Sequence, residues 1–212
     1  MATNASVMPI VSKIYCSSSQ VVLVVRRRPR VVHGGGFVVT NCSQGVVFRV
    51  DGCGILGKKG EMMLRDADGY PLLLLQRKEG KFEALNMSKK WKGYAFDWEG
   101  SSRKLIFSLK EPNSCPVTLK SSPIRISIDQ PRGCWATGWD FEIRGSFQDK
   151  SCFVVNSLGN TIAQIGVKKE VEELITGDRD LYHIVVEAGM DQAFLVGVVA
   201  VLDHIYDGST RC

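Results

Sequence analysis

Residues 191–206 read DQAFLVGVVAVLDHIY, and no polar side chain interrupts them from Ala193 to Leu202. A Val-rich run suits a buried strand, but length favours a helix here. As a helix, the segment would reach ~24 Å at ~1.5 Å per residue, short of the ~30 Å hydrocarbon layer. Its apolar residues cover every face, so the helix must be enclosed by protein. Asp191 stands where it can cap the start, and Gly208 lies just past the end. Phe194, Leu195, Val198, Val199, Val201 and Leu202 are the expected side chains of this enclosed helix.

What encloses it is written in period two. In VVFRVD, Val46, Phe48 and Val50 alternate with Arg49 and Asp51. In IRISID, Ile124, Ile126 and Ile128 alternate with Arg125, Ser127 and Asp129. In DFEIR, Phe141 and Ile143 alternate with Asp140, Glu142 and Arg144. A strand sends successive side chains to opposite faces, so each segment has one dry side. Further strand candidates are Val21–Val25, Gly36–Thr40, Glu61–Arg65, Leu72–Arg77, Leu105–Lys110, Cys152–Val155, Thr161–Val167 and Tyr182–Glu187. The turns NCSQG (41–45), DADG (66–69) and NSLGN (156–160) join them with Asn, Asp and Gly, which accept left-handed backbone. About a dozen strands point to a barrel or a sandwich, because closure removes exposed edges. A mainly β architecture is expected: a closed antiparallel barrel around the C-terminal helix.

The chain has 212 residues, long enough for one large domain with a substantial core. Its 44% apolar and 23% charged content argues against wholesale disorder. A net charge of +5 is too mild to name a nucleic-acid binder without a clustered patch. Residues 1–18 are Ser-rich and polar and are expected to form a loose tail, with one domain over 19–208 and a short tail at 209–212. No secretory leader is read at the N-terminus. The seven cysteines include no C-x-x-C pair, which favours reduced thiols over a zinc site and implies the cytoplasm or nucleus.

Several stretches resemble the plant LURP-one-related proteins. They are GFVVTNCSQGVVFRVDG (36–52), LRDADGYPLLLLQRK (64–78), LNMSKKWKGY (85–94), FEIRGSFQDKSCFVVNSLGNTIAQIGVKK (141–169) and LYHIVVEAGMDQAFLVGVVAVLDHIY (181–206), in family order. Residues 111–135 depart from the pattern. The resemblance implies a tubby-like fold, a twelve-stranded barrel threaded by a hydrophobic helix, as in phospholipid scramblases. It implies a link to plant defence and no catalytic residues. Tubby domains bind phosphoinositides and tether transcription factors to membranes, but no tubby binding motif is found here to receive their contact residues.

Two charge clusters remain to be placed. In an extended chain Arg26, Arg28 and Arg30 project to one side, ~7 Å apart, and forked guanidinia at that spacing can hold a multivalent phosphate. The plainer account is an edge strand kept unsticky by Arg and Pro29. Lys89, Lys90 and Lys92 surround Trp91, an aromatic suited to a bilayer interface; a solvated loop is the plainer account. GCGILG (52–57) satisfies G-x-G-x-x-G, but the residues after it show no helix beginning, so no dinucleotide site is expected. DADG lacks the distal Glu of a calcium loop, and the three histidines lack metal-ligand spacing. No nucleophile signature, cofactor or metal is expected. The reading is a monomeric, non-enzymatic protein that meets phosphoinositides or an anionic membrane surface; a protein-interaction or regulatory module without lipid is the alternative.

Overall fold

The computed structural model describes residues 7–28, 35–78, 89–96, 102–112, 123–129, 138–167 and 181–206. The elements run β1 (Val21–Arg27), β2 (Gly36–Thr40), β3 (Val46–Asp51), α1 (Cys53–Leu56), β4 (Glu61–Asp66), β5 (Pro71–Lys78) and β6 (Lys90–Phe96). They continue with β7 (Arg103–Lys110), β8 (Ile124–Ile128), β9 (Phe141–Ser146), β10 (Ser151–Asn156), β11 (Thr161–Gly166), β12 (Leu181–Val186) and α2 (Gln192–Tyr206). Each strand lies between its sequence neighbours, and β1 pairs with β12, so the twelve close into a barrel. Every pairing is antiparallel, as short turns require.

The helix α2 is the core of that barrel, and Ala193 to His204 are all buried. Alternate residues of the wall face it: Leu23 and Val25, Phe37 and Val39, Phe48 and Val50, Leu73 and Leu75, and Tyr182 and Ile184, all without solvent contact. Phe194 meets Phe107 edge-on at 5.4 Å and Phe141 at 5.3 Å between ring centroids. Two glycines make room. A β-carbon on Gly93 would stand 2.3 Å from Phe107 Cε1, and one on Gly197 would stand 2.9 Å from Leu73 Cδ1. Gly197 weakens the helix by ~1 kcal/mol relative to Ala, and the close approach to the wall accounts for its presence.

Three expectations change. Residues 7–18 are not a loose tail but a strap across the helix N-terminus. Ile10 is buried, Met8 N–H donates to the Gly189 carbonyl at 2.9 Å, and Tyr15 packs on Phe48 at 5.3 Å. The reason is a single buried carboxylate: Asp191 Oδ2 accepts the N–H groups of Ile10, Val11 and Ser12 at 3.0, 2.6 and 2.9 Å. Its Oδ1 accepts the Phe194 N–H at 3.1 Å, the helix cap that its position suggests. The Lys89–Lys92 stretch is not a solvated loop but enters strand β6, and Trp91 points into the core with no exposure. A polar–apolar alternation, KWKGYAF, was there to be read, but Gly93 interrupts it. One helical turn, α1, forms inside GCGILG, its Ile55 and Leu56 N–H groups donating to the Gly52 carbonyl, and a strand, not a helix, follows it, as expected. Finally, Arg28 is not aligned beside Arg26 as a free cation, since it is tied to Asp51, as set out below. Arg30, Gly208 and residues 209–212 lie outside the described residues. Among the described residues no helix is long and apolar enough to cross a membrane.

Candidate anion-binding face

The C-terminus of α2 marks one end of the barrel. Arg27, the last residue of β1, reaches Asp203, and His204 packs edge-on against Trp91 near the start of β6. At this end β5 finishes with Lys78, β6 starts with Lys90 and β7 finishes with Lys110. The register sets these three lysines directly opposite one another, Lys78 on Lys90 and Lys90 on Lys110. Trp91 and Leu109 point inward, so Lys90 and Lys110 point outward, and all three are exposed. Strand spacing puts neighbours ~4.8 Å apart and the outer pair ~10 Å apart at the backbone. Lys92 lies two residues along β6, beside Gln76 and Ser108, and Lys89 precedes the strand. Like charges directly opposite each other oppose pairing. Among the described residues Lys78, Lys90, Lys92 and Lys110 have no ion pair.

A separate row of arginines lies across β1–β4, and it meets β5 at Pro71, seven residues from Lys78. Arg26 opposes Val38, Val38 opposes Arg49, and Arg49 opposes Arg65, so one outward row carries three guanidinia. Arg65 donates to Asp51 Oδ2 at 2.9 Å and to the Gly69 carbonyl at 3.0 Å. Arg28 donates through Nη2 to Asp51 Oδ1 at 2.9 Å and to the Val50 carbonyl at 2.6 Å. Arg26 and Arg49 are exposed and have no ion pair among the described residues. Three nearby carboxylates are engaged: Asp51 by Arg28 and Arg65, Glu61 by Gln76 and by Lys58 at 3.9 Å, and Glu111 by Arg77 and the Trp91 indole N–H. What remains is an uncompensated row of lysines on β5–β7 and, apart from it, two spare arginines on β1 and β3. Of the cations singled out from sequence, Lys89, Lys90 and Lys92 lie on or beside the lysine row, Arg26 lies on the arginine row, and Arg28 shares Asp51 with Arg65. Lys78 and Lys110 complete the lysine row, and Arg49 stands on the arginine row. They stand at strand positions readable from sequence, but only the register brings them into line.

Beneath these rows a second set of cations is internal. Leu23, Val25 and Arg27 share the inward face of β1, so Arg27 turns into the barrel mouth. Its Nε donates to Asp203 Oδ1 at 2.9 Å, and its Cζ lies 5.6 Å from the Tyr182 ring centroid. Asp203 has no solvent exposure and sits at a helix C-terminus, where the dipole disfavours an anion, so Arg27 offsets both penalties. Lys150 Nζ lies 3.9 Å and 4.8 Å from the Phe147 and Tyr182 centroids and donates to the Phe147 carbonyl at 3.2 Å. Burial pushes the Cys152 thiol up to about 12 against the opposing pull of Lys150, so it stays protonated and makes a poor nucleophile. Arg27→Ala should cost about 3–5 kcal/mol by stranding Asp203. The double change Arg27→Met with Asp203→Leu should recover most of that. Urea unfolding of both variants checks it; equal loss in the two would show that the pair itself, not the stranded charge, sets the stability.

The sequence profile of the LURP-one-related family matches residues 21–203, the barrel wall and nearly all of α2. The chain belongs to the LURP-one-related family. It is 49% identical to protein LURP-one-related 6 of Arabidopsis thaliana over 203 residues, covering 96% of this chain and 98% of that one. It is 46% identical to LURP-one-related 16 of the same plant, covering 99% and 98%. The X-ray structure of another Arabidopsis thaliana protein shares the fold, with a TM-score of 0.64 at 20% identity over 93% of this chain and 98% of that chain. The LURP-one-related barrel is therefore the scaffold on which the lysine row is displayed.

Proposed function

We propose that this LURP-one-related protein is a non-enzymatic binding module that docks on a phosphate-bearing membrane surface through the lysine row of β5–β7. One observation carries the reading: three lysines from adjacent strands face one another without a counter-charge. A closed sheet tolerates that repulsion, and an anionic surface relieves it. Lys78, Lys90, Lys92 and Lys110 supply point charges for phosphate. Each cation near an acidic leaflet contributes about 1 kcal/mol, screened over a Debye length of about 8 Å at physiological salt. The enclosed helix takes no part in insertion. Phosphoinositides are the lipid class whose clustered phosphates best match a row of opposed cations, and the tubby-like resemblance supports the same reading.

Sedimentation with vesicles tests it. The protein should pellet with phosphatidylserine-containing vesicles, more so with phosphoinositide, and stay in solution with phosphatidylcholine alone. Changing Lys78, Lys90 and Lys110 together to Gln should weaken partitioning about a hundredfold, since three contributions of about 1 kcal/mol are lost. Equal pelleting with neutral vesicles, or an unchanged triple variant, would rule the reading out.

A further inference from the structure

The connection between β3 and β4, GCGILGKKG (52–60), holds the turn α1 and lies at the same end of the barrel as the lysine row. β3 ends there with Asp51, and β4 leaves from Glu61, opposite Gln76 near the end of β5. One step further out, the Arg77 N–H donates to the Gly60 carbonyl at 2.8 Å, and a β-carbon on Gly60 would stand 3.2 Å from Arg77 Cβ. That contact brings Lys59 to the level of Lys78, the first lysine of the row. The row therefore continues onto the connection, through Lys59 to Lys58.

The same connection carries an apolar side chain outward. The turn α1 packs on β3 and β4. Leu56 is half-buried, whereas Ile55 is 48% exposed. Gly57 and Gly60 take φ of +68° and +72°, left-handed values that turn the chain into β4. Lys58 and Lys59, between them, are exposed. Lys58 reaches Glu61 at 3.9 Å with its side chain 72% exposed, a contact that contributes little in water. A lone exposed isoleucine is ordinary. One that adjoins a line of opposed cations is placed for a bilayer, because charge draws the surface to the headgroups and sets the apolar side chain at the acyl boundary.

We infer that residues 55–59 form a membrane-penetrating finger: Ile55 enters the outer acyl region of an acidic bilayer, while Lys58 and Lys59 extend the lysine row over its phosphates. This rests on the membrane-docking reading and adds to it a contribution that salt does not screen. Attraction by the lysines fades as the Debye length shortens, and burial of Ile55 does not. About half of the Ile55 side chain is already out of water, so its insertion strengthens partitioning by about fivefold to tenfold.

Partitioning of the whole chain onto phosphatidylserine vesicles, with and without phosphoinositide, tests the finger. Ile55→Ser should weaken partitioning by about fivefold to tenfold and leave its salt dependence unchanged. Lys58→Gln with Lys59→Gln should weaken it and flatten the salt dependence. Ile55→Trp should bind at least as tightly as the parental chain, and lipids brominated on their upper acyl carbons should quench its emission more than they quench the native tryptophans. If Ile55→Ser lowers the urea midpoint, quenching of Ile55→Trp decides alone. Parental partitioning of a stably folded Ile55→Ser, or no added quenching in Ile55→Trp, while the parental chain still pellets with acidic vesicles, would overturn the finger and leave the lysine row standing. A parental chain that ignores acidic vesicles would remove both.

Discussion

Val198→Asp should yield no folded protein. Val198 lies mid-helix with no exposure, and the barrel wall surrounds α2 on every side. A carboxylate there meets neither water nor a cation. An unpaired charge in a dry interior costs several kcal/mol even after relaxation, and protonating it only exchanges that cost for an unsatisfied polar group. A domain of this size has roughly 5–15 kcal/mol of stability to lose, and the wall cannot yield locally because each strand is held by its neighbours. Circular dichroism and urea titration of the variant check this. A soluble protein with the parental melting temperature would mean that α2 is not enclosed. The same helix shows the counter-case five residues on. Asp203 is just as buried and is tolerated because Arg27 meets it at 2.9 Å.

Asp191→Ala should cost about 3–5 kcal/mol and free the strap. One carboxylate serves four N–H groups, three on residues 10–12 and one on Phe194. Bonds to a charged acceptor contribute about 1.5–3 kcal/mol each when isolated, but they are not additive here, because the Val11 and Ser12 amides regain water once the strap lifts. The cap on Phe194 alone accounts for about 1 kcal/mol. The strap should then become a protease site, with cleavage between residues 7 and 18 appearing before global unfolding. Asp191→Asn, which keeps an acceptor but loses the charge, should fall between the two. Parental stability together with an uncut strap in the Ala variant would show that apolar contacts of Ile10 and Tyr15 hold it unaided.

Strands, turns and the helix were legible because each is a local matter. Alternation in VVFRVD and IRISID, Gly and Asn in the turns, and ten successive apolar residues near the C-terminus need no partner to be read. The enclosure of α2 followed from solvation alone, since a helix greasy on every face has nowhere else to go in water. The strand β6 was missed because Gly93, kept small by the Phe107 ring, breaks the apolar alternation at the point where it would be recognised. The strap was misread because its amides are satisfied by a residue some 180 positions away, and no local pattern reports such a partner.

The candidate sites divide along the same line. Residue charge is a property of sequence, so the basic clusters around Arg26 and Lys90 could be seen at once. Whether a charge is spare is a property of register and reach. Only the folded sheet lines Lys78 and Lys110 up with Lys90 and sets Asp51 between Arg28 and Arg65. Sequence alone therefore determined the elements and the greasy core they share, because burial is governed by the composition of each face. Tertiary structure alone decided which cations stay unpaired, because pairing depends on neighbours that are distant in the chain.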